Sequence, residues 1–375
     1  FNNNGVNAPP WSIRVSVTEP PGPFSDPYRG RTDFAALQHD YENTNQLIGS
    51  RTAPFPRPVL VESYDDVFNT PLTYNYNLAF ERELMSGWMG RAAYVGSKAT
   101  QGRSNITLNP AIYTPGGDTG NPQARRKLQE YGGINHFVQD RSSQYHSMQL
   151  TLNRRYAKGF TINSNYTLSD LQGTIDGPEL APYFHPDLEN IIDTLRNGRL
   201  DDMRRHRFVS SWVYDIPGPT QGLLNHVIGG WQVTGIYQWQ SGQPYTITSG
   251  RDNAGWGLGD NRAIRTGAPL EPPAGSNKTV SFNPAAFTFN PNGSFGETLR
   301  GEFFGPSRST VDLGLFKRFR FADDINLQFR AEFFNLLNTV NFNQPGTSVS
   351  EPARFGQITA AQDPRIMQFG LKFGF

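Results

Sequence analysis

Six histidines, His39, His136, His146, His185, His206 and His226, are the residues best suited to move protons or bind a metal, and their spacing supports neither. No pair sits one helical turn apart around a glutamate, as a metalloprotease zinc site requires. The Gly-x-Ser-x-Gly elbow, the phosphate-binding loop and the dinucleotide fingerprint are all absent. Without cysteine, thiolate metal sites, cysteine nucleophiles and disulfides are excluded. Asp187, Glu189, Asp193, Asp201 and Asp202 crowd into one stretch and could hold a divalent cation, although a solvated loop is the simpler account. The side chains therefore predict no catalytic centre, no metal site and no cofactor. A net charge of +1 points to no nucleic-acid partner.

The elements that carry these residues are strands. Leu72, Tyr74, Tyr76, Leu78 and Phe80 alternate with Thr73, Asn75, Asn77, Ala79 and Glu81, a period of two that puts apolar and polar sets on opposite faces. A turn at Met85-Ser86-Gly87 leads into a second strand, Trp88 to Ser97. A long connection then precedes Met148, Leu150 and Leu152, which alternate with Ser147, Gln149 and Thr151. An Ala157-Lys158-Gly159 turn opens the strand of Phe160, Ile162, Ser164, Tyr166 and Leu168. Further strands follow at Phe208 to Ile216, Trp231 to Trp239, Thr310 to Phe319 and Ile325 to Phe333. Before all of these, Trp11 to Val17 also alternates. One helical spacing, Leu188, Ile191, Ile192 and Leu195, lies inside a loop.

The last strand is the greasiest. Met367, Phe369, Leu371, Phe373 and Phe375 occupy one face, with Gln368, Gly370, Lys372 and Gly374 on the other. The ten strands are joined alternately by long and short connections, and the short ones fall at one end. That asymmetry, with strands of about ten residues, predicts an all-β, antiparallel up-and-down barrel that crosses an outer membrane. Its low mean hydropathy of −0.55 fits, because half of each strand faces a wet lumen. A soluble sandwich, with loop aromatics such as Tyr183, Phe184 and Trp256 free to bind sugar or protein, is the alternative. In the barrel, Trp88, Tyr94, Trp212, Tyr214, Trp231 and Trp239 belong to the interfacial girdles, and Arg125-Arg126-Lys127 and Arg204-Arg205-His206-Arg207 could meet lipopolysaccharide phosphates. Two cations fall in the apolar phase. Arg154 lies near a turn and can snorkel, whereas Lys317 costs ~2–4 kcal/mol in lipid unless a bulge rephases it.

Several segments resemble TonB-dependent outer-membrane receptors of the Oar-like group that bears a carboxypeptidase regulatory domain. They are Gly305-Pro306 with Asp312 to Phe319, Leu327 to Asn338, Phe355 to Thr359 and Asp363 to Lys372; Leu78 to Leu84, Ala93 to Ser97 and Tyr166 to Ser169 are similar too. The resemblance implies a nutrient importer with a barrel of about 22 strands, an N-terminal plug and TonB as energy source. Residues 1–375 are then expected to be a partial barrel, a fragment lacking plug and TonB box, with 366–375 as its closing strand. The resemblance also implies that Met367, Phe369, Leu371, Phe373 and Phe375 form the signal read by the barrel-assembly machinery. It supplies no ligand residue; a passive porin-like channel remains the rival.

Overall fold

A computed structural model describes residues 58–116, 119–174, 197–200, 203–219, 227–255, 261–320 and 326–375, with 222, 224 and 257. The strand expected at Trp11 to Val17, the helical spacing at Leu188 to Leu195, the carboxylates Asp187 to Asp202, the turn at Ala322 to Asp324, and His39, Tyr183, Phe184, His185, His226 and Trp256 lie outside the described residues.

Fifteen strands are described. They are β1 (Val59–Tyr64), β2 (Leu72–Met85), β3 (Trp88–Thr107), β4 (Tyr131–Ala157), β5 (Phe160–Thr174), β6 (Asn197–Arg199), β7 (His206–Asp215), β8 (Trp231–Gln240), β9 (Pro244–Tyr245), β10 (Ile264–Arg265), β11 (Phe287–Thr288), β12 (Phe303–Phe304), β13 (Arg308–Arg320), β14 (Asn326–Phe334) and β15 (Ile366–Gly374). Nine of them form an antiparallel wall in the order β2-β3-β4-β5-β7-β8-β13-β14-β15, to which β1 and β6 add at β4 and β5. Every strand expected after Leu72 is present, beside the neighbour expected. Among the described residues β2 and β15 are the open edges of the wall.

Period-two register fixes the faces. Leu315 pairs with Val233 and Ala331, Ala331 with Phe369, and Val233 with Tyr214, so one apolar face runs across five strands. Leu78, Phe80, Met148, Leu150 and Leu371 stand exposed on it, and no second sheet covers them among the described residues. A sandwich is therefore not what forms. Two glycines on this face are set by close approach: a Cβ at Gly96 would collide with the Tyr76 ring, and one at Gly235 with the Trp212 indole. The Lys158-Gly159 turn takes positive φ at both residues, the twist that a two-residue hairpin needs.

The structure corrects one expectation and decides a question left open. The stretch after Ser97 is largely strand: β3 runs on to Thr107, and β4 starts at Tyr131 and spans 27 residues. At about 3.3 Å per residue β4 is roughly 90 Å long, far beyond ~30 Å of hydrocarbon, so both strands continue outside it. Irregular pairing at Ala99, Gly102 and Ser104 marks that extension. Lys317 is not rephased, since β13 and β14 pair without a bulge from Leu313 to Arg320. It is only 2% exposed because the connection after β7 folds over it. Its Nζ donates to the carbonyls of Val227 (3.0 Å) and Gly229 (2.7 Å) and lies 5.1 Å from the Trp231 ring. Among the described residues the main buried apolar cluster lies in the loop between β8 and β13, joined by Phe355 from the loop between β14 and β15. Arg154, near the turn end, lies over the rings of Trp88 (5.6 Å) and Phe160 (5.0 Å).

Candidate functional site

All the long connections leave the same end of the wall, and three of them are described well enough to show how they pack. Residues 241–307 fold first on themselves. Asn283 caps a short turn, its Oδ1 accepting from the Ala285 amide at 3.1 Å, and Pro284 sets the first φ of that turn. This delivers Ala286 and Phe287 inward, where β11 pairs with β10, while β9 pairs with β12 and places Tyr245 opposite Phe303. Phe287 meets Phe282 and Phe303 edge-to-face at 5.7 and 5.4 Å, and Tyr245 stacks on Phe303 at 5.8 Å. Arg265 lies over the Phe303 ring and pairs with Glu302, closing the cluster from outside.

The loop between β14 and β15 completes this core. Phe355 packs edge-on to Phe282 at 5.1 Å. Backbone bonds knit the two loops together: Ser281 N donates to Gly356 O at 2.8 Å, Ile358 N to Thr279 O at 2.8 Å, and Val349 N to Thr248 O at 3.0 Å. The loop between β3 and β4 docks from the side. Tyr113 packs against Phe295 in a tilted pair with ring centres 4.8 Å apart, and its hydroxyl donates to Gly293 O at 2.7 Å. Burial pushes the Tyr113 phenol above its usual pKa and the Arg126 guanidinium below its own. Buried amides carry the polar load. Asn261 Oδ1 accepts from Ala254 N at 2.6 Å and from Asn290 Nδ2 at 3.2 Å, and Thr298 donates to Ile247 O at 2.7 Å. The Tyr245 hydroxyl, buried in the core, is pushed up to about 12.

The three loops thus form one packed cap rather than separate flexible fingers. Arg125 and Arg126 serve within it: Arg125 donates to the carbonyls of Ile112 (2.7 Å) and Gly255, and Arg126 to that of Asn109. Guanidiniums so engaged are staples of the cap. The histidines are dispersed. His136 bridges Ser63 (2.8 Å) and Asp65 (3.0 Å) and pins β1 to β4, while His146 and His206 bond the hydroxyls of Tyr94 and Tyr166 on the outer face. Among the described residues no three His, Asp or Glu side chains come together as metal ligands. The cap core was missed in the sequence because its aromatics follow no period; the density of Tyr245, Phe282, Phe287, Phe289, Phe295, Phe303 and Phe304 was the available signal.

The inner face of the wall is the other candidate surface. It is mostly polar, with Gln149, Thr151, Asn163, Asn165, Ser211, Thr234 and Gln238 in register, and it carries paired charges, Glu81 beside Arg91 and Arg330 beside Glu332; Thr151 donates to Asn165 at 2.9 Å. A cavity of about 770 Å³ opens at the short-turn end between Asp215, Gln232, Phe316 and Gln328, and a recess of about 140 Å³ lies at the cap end. Met367, Phe369, Leu371 and Phe373 line up outward on β15, where Phe369 is 67% and Leu371 71% exposed; Phe375 follows, with its ring 6.1 Å from that of Phe373.

Residues 1–368 match the family model described as an outer membrane beta barrel domain. No curated protein matches the chain. Among solved structures it is similar to the outer membrane transporter YddB from Escherichia coli, at TM-score 0.46 and 12% identity over 84% of this chain and 34% of that one. It is also similar to BauA, the ferric preacinetobactin receptor from Acinetobacter baumannii (TM-score 0.40, 12% identity, 81% and 29%). The ferric-catecholate import receptor Fiu from K12 E. coli gives TM-score 0.40 and 10% identity, over 82% and 28%. The chain spans about a third or less of the length of these proteins.

Proposed function

Because the chain belongs to the outer membrane beta-barrel domain family, we propose that its wall is part of the pore of a TonB-dependent importer of the Oar-like group. The observation that carries this reading is the pairing of an exposed apolar outer surface with a polar inner surface beneath a packed cap. A cap with a packed aromatic core holds its outer contour without solute, so it can select what reaches the lumen at little entropic cost. The likeness of 305–319 and 327–338 to such receptors supports energised import over passive flow. In the whole protein a plug fills the lumen and couples to TonB, and Met367, Phe369, Leu371, Phe373 and Phe375 are the assembly signal.

Conductance of the full-length protein in planar bilayers separates the two kinds of transport. The importer reading expects a closed membrane that conducts only when urea loosens the plug. Steady open channels without urea would establish the passive porin instead.

A further inference from the structure

Arg207, Gln240 and Arg308 lie side by side on three adjacent strands, since Gln240 pairs with Arg207 across β7 and β8 and with Arg308 across β8 and β13. All three belong to the inward phase, because Phe208, Trp239 and Ser309, one position along each strand, share the outward row. Each also sits at the cap end of its strand, where Ser241 N bonds His206 O at 2.9 Å and roots the cap directly above. They border the recess of about 140 Å³ together with Val209, Gln238 and Thr310, and no carboxylate lines it. Neighbouring strands are ~4.8 Å apart, which puts the two arginine Cα atoms ~10 Å apart, within converging reach of their long side chains.

Neither guanidinium has a hydrogen-bond or ion-pair partner among the described residues, in contrast to Arg125, which is bonded to carbonyls, and Arg330, which pairs with Glu332 at 3.1 Å. Two like charges converging on a recess without an acid repel each other, and nothing within the fold requires them there. A planar fork on each side with an amide between them suits a carboxylate or phosphate, which accepts several such bonds at once.

We infer that Arg207, Gln240 and Arg308 form an anion-binding subsite at the mouth of the lumen, where a solute bearing carboxylate or phosphate groups is held after it passes the cap. The subsite rests on the reading of the wall as a pore lining, and its test uses binding alone, so that it can fail while import stands.

Full-length protein in detergent micelles is titrated with citrate, with pyrophosphate and with neutral maltotriose, and the heat of binding is followed by calorimetry. Citrate or pyrophosphate should saturate the signal at concentrations where maltotriose has no effect. Loss of both forks in Arg207→Gln/Arg308→Gln should weaken anion binding by about ten- to hundredfold. Arg207→Gln alone should weaken it partially, and Arg318→Gln, at the opposite end of the wall, should leave it unchanged. The subsite is overturned if the double variant binds the anions as wild type does, if Arg318→Gln weakens them equally, or if maltotriose competes on equal terms.

Discussion

Replacing Phe287 with alanine should open the cap while leaving the wall intact. Phe287 is 4% exposed and touches the rings of Phe282 and Phe303, with Phe355 from the neighbouring loop 6.3 Å away. Truncating a fully buried phenylalanine costs ~3–5 kcal/mol, through lost burial and the cavity left behind. Because the cap is a small module with one core, that energy is taken from its local stability rather than from that of the nine-stranded wall. Its open population should rise by about two to four orders of magnitude. Lys278 lies on an exposed part of the cap, so tryptic cleavage there reports on opening. In full-length protein in micelles, Phe287→Ala should be cut at Lys278 far faster than wild type, while its folded barrel band remains heat-modifiable. Phe355→Ala should accelerate the same cut, although Phe355 belongs to the other loop. Leu337→Ala, at a side chain 67% exposed, is the control and should change nothing. The shared core is refuted if Phe287→Ala is cut at the wild-type rate, or if Phe355→Ala has no effect on Lys278.

Three other perturbations follow from named contacts. The Tyr245 phenol is raised from 10.0 to about 12 chiefly by burial, so the folded cap holds this proton more tightly than the unfolded chain. The cap should keep this part of its stability below pH 10 and lose up to ~2–3 kcal/mol as pH climbs through 12; Tyr245→Phe should flatten that decline in the tryptic assay. Lys317→Glu turns a donor to two carbonyls into a buried acceptor, at a cost of ~3–5 kcal/mol in urea unfolding, while Lys372→Glu, exposed on the inner face, should fall within about 0.5 kcal/mol of wild type. If the outward face of β15 is the assembly signal, Phe373→Asn should lower outer-membrane levels well below those of Lys372→Asn, and equal levels would count against it.

Strands whose two faces meet different media were legible from sequence, because lipid on one side and water on the other impose a period of two on residues such as Leu313, Leu315, Leu327 and Phe329. Where both faces meet water the signal vanishes. The outer parts of β3 and β4, with Gln101, Gly102 and Arg103 on one and Gln139, Asp140 and Arg141 on the other, read as loop for that reason. The cap was hidden for a different cause. Its core is assembled from two-residue strands and turns drawn from separate loops, so no local window contains the pattern that Phe282, Phe287, Phe303 and Phe355 make together. Lys317 shows a third limit. Its position in the apolar phase was plain, but the carbonyls that satisfy it come from the connection after β7, far away in sequence. Arg207 and Arg308 were also out of reach, since only register makes neighbours of them.

The central claim is that the wall separates lipid from an aqueous lumen, and β13 tests it most directly. Residues 1–375 contain no cysteine, so, with any cysteine outside them replaced by serine, single cysteines at 311–319 can each carry one nitroxide. In full-length protein reconstituted in bilayers, collisions with oxygen should peak at positions 311, 313 and 315, and collisions with a water-soluble nickel chelate at 312, 314 and 316. Position 317, covered by the connection at Val227 and Gly229, should be shielded from both. The opposite phase, or accessibility with no period of two, would contradict the account.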